Sequence, residues 1–339
     1  MAVLLAPDQL SMKAGVIGTN FVLAAALLLA LLFSSTVFNS TLEEHRVEVQ
    51  ALAYRFGAPF RSIAHWAGGV WTPNARTAAA ERIVGPMLIL LLTGFIYIFN
   101  SPGIGMNKST LAYFFSLVIG LGIITYVYEG GEALLTTHRF RTPAAVRLFP
   151  IAPIIAICFV ALSRMTGFEA PIMYGFVASS TILVAADLEH RHTAFAVLVP
   201  AVLLLALSLG AWGLLIPLRH AADSTEWWSY IPSESAALVF AGGIEGLLFA
   251  MIPIRFTDGS KIFRWYRLLW FPLFLIPAFI FAWAVLNPEA QAFDSLVEGR
   301  VILAFSLVGA YLAVALATWA YFAFRPQHGG VTAPPAPAA

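Results

Sequence analysis

Four acidic residues lie within or directly beside long apolar stretches of the chain, where carboxylates are rare: Glu129, Glu132, Glu245 and Asp258. A carboxylate near the centre of a membrane-spanning helix costs roughly 2.5–3.5 kcal/mol. Each one must therefore face protein, water or a partner, and so each is a candidate for binding an ion, a proton or another protein. The competing interpretation for each is a structural carboxylate that is protonated or salt-bridged.

The first motif reads Tyr128-Glu129-Gly130-Gly131-Glu132 near the end of an apolar run. Residues three apart share a helical face, so the two glutamates should lie side by side. Because like charges repel, at least one of them should be protonated or bridged by a cation. The two glycines favour close approach of a neighbouring helix.

The second motif is centred on Glu245, which lies between Gly242 and Gly246. This GxxxG spacing is typical of a closely packed face in membrane helices. Glu245 is three residues from Gly242 and about ten residues from either end of its apolar run. The spacing therefore predicts a carboxylate near the middle of the membrane that points into the protein.

The same apolar run ends at Pro253, which should stop or kink its helix. Asp258-Gly259 follows as a turn signal. The two motif helices should run in the same direction, which would bring Asp258 to the depth of Glu129. Arg255 is expected to form a salt bridge with one of these two acids and so compensate their burial.

The overall composition identifies the class of protein that must position these residues. Of 339 residues, 60% are hydrophobic and 11% charged, and the mean hydropathy is +0.83. A soluble domain carries about 25% charged residues, which excludes an ordinary cytosolic enzyme. The net charge of +1 offers no field for nucleic acid. We expect an all-α polytopic transmembrane bundle whose surroundings are the lipid bilayer.

Nine windows approach the length of about 20 apolar residues that a membrane helix needs. They are approximately 14–38, 83–99, 111–135, 148–163, 170–186, 193–217, 235–254, 268–286 and 301–324. Alternating the loops between two sides places five of the 19 basic residues on one side and fourteen on the other. Cytoplasmic loops are rich in Lys and Arg, so the N-terminus should be outside and the C-terminus inside the plasma membrane.

The remaining organisation is simple. Residues 1–325 form a single transmembrane helical domain. Its longest polar stretch, about 43–70, reads as an amphipathic segment lying on the inner leaflet, or as a peripheral packing segment of the same protein. The Pro/Ala-rich residues 326–339 predict a disordered cytoplasmic tail.

A few polar side chains form the weakest candidates for a metal site: His138, Glu189, His190 and His192. Their spacing matches no established metal signature, and short charged loops between membrane spans are common. No cofactor is predicted from them.

The order of the motifs resembles the site-2 protease family of intramembrane zinc metalloproteases. In that family a His-Glu-x-x-His helix precedes a span that closes with Pro-x-x-x-x-Asp-Gly. Tyr128 and Glu132 occupy the places of the two zinc-binding histidines, Glu129 that of the water-activating glutamate, and Asp258 that of the third ligand. Ala250 replaces an asparagine of the family. Tyr, Glu and Asp are poor zinc ligands as a set, so the resemblance implies a catalytically degenerate pseudoprotease without zinc.

Residues 240–270 are also similar to actinobacterial multi-pass membrane proteins that carry a Phe-Gly-Leu-Leu-Pro motif. The motif begins at Phe249 and ends at Pro253, with Ala-Met-Ile between them. This resemblance implies a membrane location and carries no activity with it.

Three functions follow from these observations. The first is a non-enzymatic relative of intramembrane proteases that binds or scaffolds another membrane protein at the cytoplasmic face. The second is a small-solute or ion transporter that uses Glu245, with nearby prolines breaking helices along the path. The third is a membrane enzyme that holds Mg²⁺ or Mn²⁺ on Glu129, Glu132 and Asp258.

Overall fold

The structure, a computed structural model, describes residues 4–49, 78–101, 103–148, 152–166, 178–182, 190–222, 226–255, 257–286 and 299–324. Most of the predicted segment 43–70, the tail 326–339 and Glu189 lie outside these residues. Residues 43–44 belong to the end of the first helix.

The described residues form α-helices almost throughout. In chain order these are α1 Ala14–Glu44, α2 Ala78–Ile98, α3 Lys108–Thr125, α4 Gly131–Arg139, α5 Ala152–Thr166, α6 His190–Ala221, α7 Ile231–Met251, α8 Asp258–Trp265, α9 Arg267–Ile280 and α10 Gly299–Phe324. Single π-helical turns follow α3 at Tyr126–Gly130 and α9 at Phe281–Leu286. Short 3₁₀ helices cover Pro7–Gln9 and Trp227–Tyr230.

Six continuous helical stretches are long and apolar enough to cross a membrane: Ala14–Glu44, Lys108–Arg139, His190–Ala221, Trp227–Met251, Arg267–Leu286 and Ala304–Phe324. Two shorter apolar helices, Met87–Ile98 and Ala152–Met165, lie among them. Eight of the nine predicted windows overlap one of these helices. The prediction of a helical, multi-pass integral membrane protein is therefore confirmed.

The predicted fifth span, 170–186, differs from the structure where the structure describes it. Strand β2, Ala178–Ile182, pairs antiparallel with strand β1, Ala144–Leu148, so that Ala144 faces Ile182 and Leu148 faces Ala178. The hydropathy of the window predicted a helix, but the β-branched residues Thr181 and Ile182 favour extended backbone where a partner strand is present. The all-α class is thus qualified by this small sheet.

The bundle has two ends, which we name after α1 as the Ala14 end and the Glu44 end. Helix α10 runs parallel to α1, because the Tyr311 hydroxyl donates to Ser35 at 3.3 Å and the His45 and Phe322 rings stack at 4.6 Å. Helix α10 therefore ends at the Glu44 end of the bundle, where α1 also ends.

The N-terminal segment crosses the Ala14 end. Trp212 and Arg219, near the end of α6, donate to the carbonyls of Leu5 and Leu4 at 3.0 and 2.7 Å. Trp283, in the π turn after α9, donates to Ser11 at 3.2 Å. These bonds hold residues 4–11 over the core at that end.

The two motif helices, α3 and α7, are parallel neighbours. The Ser116 hydroxyl lies 3.4 Å from the carbonyl of Ile231, and a Cβ added at Gly120 would lie 2.9 Å from Leu238. Both helices therefore approach the Glu44 end together, as the sequence predicted.

Candidate functional site

The end of α7 is fixed by side chains from two other helices. Pro253 interrupts the helix, which leaves terminal carbonyls without helical partners. The indole of Trp270 donates to the Met251 carbonyl at 2.9 Å, and Asn39 of α1 donates to the Pro253 carbonyl at 2.7 Å. The same Asn39 side chain accepts from the Arg255 backbone at 2.9 Å. The break after α7 is therefore held in one conformation by specific side-chain hydrogen bonds.

Helix α8 begins directly against this break. A Cβ at Gly259 would collide with the backbone carbonyl of Met251, so only glycine permits the approach. Thr257 donates its hydroxyl to the carbonyls of Ile252 and Ile254. These contacts fix the position of Asp258, the first residue of α8.

On the facing helix, the π turn Tyr126–Gly130 turns the first motif toward the interior. A π turn inserts one extra residue into the helix and often marks a functional site. Tyr128, Glu129 and Glu132 are all buried. A Cβ added at Gly131 would lie 3.2 Å from the ring of Pro200, so this glycine allows α6 to approach closely.

These elements bring together Tyr128, Glu129, Glu132, Asp258 and Lys261, which we name the Asp258 cluster. The Tyr128 hydroxyl donates to Asp258 Oδ2 at 3.1 Å, and Lys261 Nζ donates to Asp258 Oδ1 at 2.6 Å. Each carboxylate oxygen of Asp258 thus accepts from a donor on a different side. The direct Tyr–Asp bond joins the π turn after α3 to α8, the helix that follows α7.

The charge of Lys261 interacts with all three acids of the cluster. Burial alone would lower the pKa of this lysine, but the charges of Asp258, Glu132 and Glu129 outweigh burial. The pKa of Lys261 is consequently raised above its ordinary value. Lys261 thus brings a positive charge that acts on both glutamates, for which the sequence predicted protonation or a bridging cation.

The predicted role of Arg255 is corrected. Its guanidinium lies 4.0 Å from Glu43 of α1, while the ion-pair partner of Asp258 is Lys261. The turn after Pro253 directs Arg255 toward α1, whereas Lys261 lies one helical turn beyond Asp258 on the same face of α8. The Asp258–Lys261 spacing of three was the signal in the sequence that could have identified this pair.

Glu245 lies apart from the Asp258 cluster. It is 2% exposed in α7, six residues or about 9 Å before the end of that helix. Gly242 and Gly246 are buried beside it, and a Cβ added at Gly243 would collide with Ser208 of α6. Phe249, one turn further on, contacts Phe159 of α5 with ring centroids 5.5 Å apart. Helix α7 is therefore closely packed against α6 at Gly243, and the close packing predicted for the Gly242/Gly246 face stays a prediction.

Three of the four weaker metal candidates lie in the described part of the chain. The His192 ring stacks on Phe140 at 4.6 Å, and His138 and His190 are exposed. Among the residues that the structure describes, no three His, Cys, Asp or Glu side chains are grouped as a metal site requires. The geometry consequently does not favour a site formed by Glu129, Glu132 and Asp258.

The chemistry open to the Asp258 cluster is that of a buried, hydrogen-bonded charge network. The polar groups of the cluster are the oxygen atoms of one phenol and three carboxylates, together with one ammonium group. Zinc, by contrast, prefers nitrogen and sulfur ligands. Such a network can fix two helices to each other or respond to a charge change at either of them.

Comparisons with known proteins add no relative. No protein-family model matches the chain, and neither a curated protein nor a solved structure matches it.

Proposed function

We propose that this protein is a non-enzymatic membrane protein of the plasma membrane that binds another membrane protein at its cytoplasmic face. We place that face at the Glu44 end, where fourteen basic residues were assigned. In this proposal the chain is a degenerate relative of the site-2 proteases, and the Asp258 cluster is a lock between the π turn after α3 and helix α8.

The observation that carries the proposal is the double engagement of Asp258. Each carboxylate oxygen has two lone pairs and keeps one of them after it accepts a single hydrogen bond. It is therefore the ammonium group in contact with Asp258 that opposes a metal, because it repels a second cation. Here Tyr128 donates to one oxygen and Lys261 donates to the other. Lys261 supplies the positive charge that a metal ion would supply, without a bound water to activate.

The first experiment measures metal content of the full chain purified in detergent. We expect no stoichiometric zinc in the native protein. The triple variant Tyr128→His/Glu132→His/Lys261→Ala should gain about one zinc per chain, because it restores two nitrogen ligands and releases Asp258. Adding Asp258→Asn to the triple variant is the control, and it should remove the zinc. Stoichiometric zinc in the native chain would contradict the lock.

The second experiment tests the binding role. A photo-crosslinking residue is introduced at Leu134, which is exposed on α4 beside the cluster, and separately at Phe115, which is exposed toward the other end of the same span. In membranes we expect a discrete protein adduct from position 134 only. Equal adducts from both positions, or none, would argue against a partner at this end.

A transporter remains the second candidate because Glu245 is a buried carboxylate within a membrane span. Proteoliposomes that contain a pH-sensitive dye would report proton entry driven by a potassium diffusion potential. Loss of that signal in Glu245→Gln, with Glu226→Gln as the exposed control, would support this alternative over a binding protein.

A further inference from the structure

The junction between α8 and α9 exposes basic and apolar side chains side by side at the Glu44 end. Arg264, Trp265 and Arg267 are exposed, and Leu268 is 91% exposed. Trp265 lies in the last turn of α8, and Leu268 lies in the first turn of α9, where the next membrane span begins. This surface, which we name the α8–α9 surface, is therefore at the boundary of the bilayer.

The α8–α9 surface is held in a defined shape. The backbone N–H of Tyr266 donates to Ile262 at 2.7 Å, and its carbonyl accepts from Trp270 at 2.8 Å. Ile262 and Trp270 are both buried, so the turn between the helices is anchored in the core. The arginines are presented from a rigid element.

A third arginine and an aromatic ring complete the surface. Arg191, at the start of α6, donates from Nε to the Tyr266 hydroxyl at 3.4 Å. The guanidinium of Arg267 lies 5.1 Å above the ring of Phe263, which orients it without neutralising its charge. Within the described part of the chain, Arg264 and Arg267 have no carboxylate partner.

We propose that the α8–α9 surface binds the negatively charged headgroup of a phospholipid. Guanidinium groups present donors in a fork that matches phosphate oxygens. Trp265 has the amphipathic ring that favours the headgroup level, and Leu268 extends into the acyl region beside it. A soluble anion would use the arginines alone and would leave both apolar side chains in water.

This lipid site lies next to the Asp258–Lys261 pair along α8, because Arg264 and Trp265 follow Lys261 by three and four residues. The helix has eight residues and is anchored at both ends. A headgroup held by Arg264 and Arg267 would therefore restrain the same element that closes the Asp258 cluster. Lipid binding should stabilise the fold, and this expectation holds whichever function the cluster serves.

The experiment uses the full chain purified in a neutral detergent, with phosphatidylglycerol and phosphatidylcholine of the same acyl length added separately. Lipid occupancy is counted by native mass spectrometry, and the melting temperature is followed by tryptophan fluorescence. We expect phosphatidylglycerol to bind more tightly and to raise the melting temperature more than phosphatidylcholine does. The difference should shrink as salt is added.

The variant Arg264→Gln/Arg267→Gln should weaken phosphatidylglycerol binding roughly tenfold or more and leave phosphatidylcholine binding unchanged. Lys13→Gln/Lys108→Gln is the matched control, since it removes two exposed charges at the Ala14 end. Because each variant is compared with its own lipid-free melting temperature, any loss of intrinsic stability is separated from loss of binding.

Three outcomes would overturn the proposal. Equal responses to the two lipids would show that headgroup charge is not recognised. An equal loss in the Lys13/Lys108 control would show a diffuse charge effect. Stabilisation by inorganic phosphate alone, at the same concentration as the lipid, would show a soluble-anion site.

Discussion

Asp258 is held from two directions, by a phenol from the facing helix and by an ammonium group one turn further along its own helix. The two donors differ in what they contribute. Tyr128 links two elements that are distant in sequence, whereas Lys261 balances charge within α8. Removing either donor should therefore have a distinct effect.

Tyr128→Phe removes the hydroxyl that joins α8 to the π turn. A hydrogen bond to a charged group contributes about 1.5–3 kcal/mol, so the variant should lower the free energy of unfolding by roughly that amount. Denaturant unfolding in detergent, followed by tryptophan fluorescence, measures it. Tyr126→Phe is the matched control, because Tyr126 is exposed two residues away, and it should change stability by less than about 0.5 kcal/mol. Equal effects would contradict the lock.

The raised pKa of Lys261 predicts that the folded protein loses stability at alkaline pH. Its pKa is raised in the folded protein, so its contribution is fully present below the unfolded lysine value of about 10.4. That contribution is lost as pH rises through the higher folded value. The melting temperature of the native chain minus that of Lys261→Met should stay constant from about pH 7 to pH 9 and decrease above about pH 10.4. A constant difference over the whole range would count against the pair.

At the scale of single residues, the sequence was most informative about residue types that are rare in apolar stretches. Glu129, Glu132 and Asp258 stood out because carboxylates are costly in apolar surroundings, and parallel helices then required them to meet. Arg255 was wrongly paired because hydropathy and spacing do not report the direction of a turn. Asn39, which fixes that direction, lies more than two hundred residues away along the chain.

Among the elements, the break between α7 and α8 does most to position the cluster. Pro253 and Asp258-Gly259 predicted a break, and the structure has one there. The π turn at Tyr126–Gly130 was not predicted, because Gly130 and the following Gly131 are equally compatible with a regular helix. Strand β2 was missed because strand pairing depends on β1, which begins at Ala144, 34 residues before β2 begins at Ala178.

Gly259→Ala tests how tightly the break is built. The added methyl group would collide with the Met251 carbonyl, so α8 must shift away from α7 and Asp258 must move with it. We expect a loss of about 2–4 kcal/mol in unfolding free energy, in the range of overpacked or strained sites.

Gly213→Ala in α6 is the control for this change. Nothing lies within 4 Å of the added Cβ at Gly213, and alanine favours a helix over glycine by about 1 kcal/mol. That variant should be neutral or more stable. A neutral Gly259→Ala would show that α8 is free to move relative to α7.

For the whole molecule, the path of the chain can be traced from the contacts between residues at the same end of the bundle. Arg164, in the last turn of α5, donates to the carbonyls of Phe99 and Ser101 at 2.8 and 3.0 Å. Those carbonyls follow α2, which runs antiparallel to α3 and so reaches the Ala14 end. Strand β2 pairs with β1, which precedes α5 at the Glu44 end. The chain is therefore at opposite ends of the bundle at Thr166 and at Ala178.

This change of ends preserves the alternation on which the charge bias rested. Hydropathy predicted a membrane-spanning helix over 170–186. For the topology it matters only that the chain is at opposite ends of the bundle at Thr166 and at Ala178. The form of the backbone depends on partners that a hydropathy window does not see, and the side of the membrane on which each loop lies stays a prediction from the distribution of basic residues.

Cysteine labelling can test the path and its orientation together. Cys158 is the single cysteine and is exposed, so Cys158→Ser gives a background without thiols. In that background Met165→Cys, at the end of α5, should react from outside intact cells with a membrane-impermeant maleimide. Arg139→Cys, the last residue of α4, should react only after the membrane is permeabilised. Reaction of both from the same side would contradict the path, and reaction of Arg139→Cys alone from outside would invert the proposed orientation and move the Asp258 cluster to the outer face.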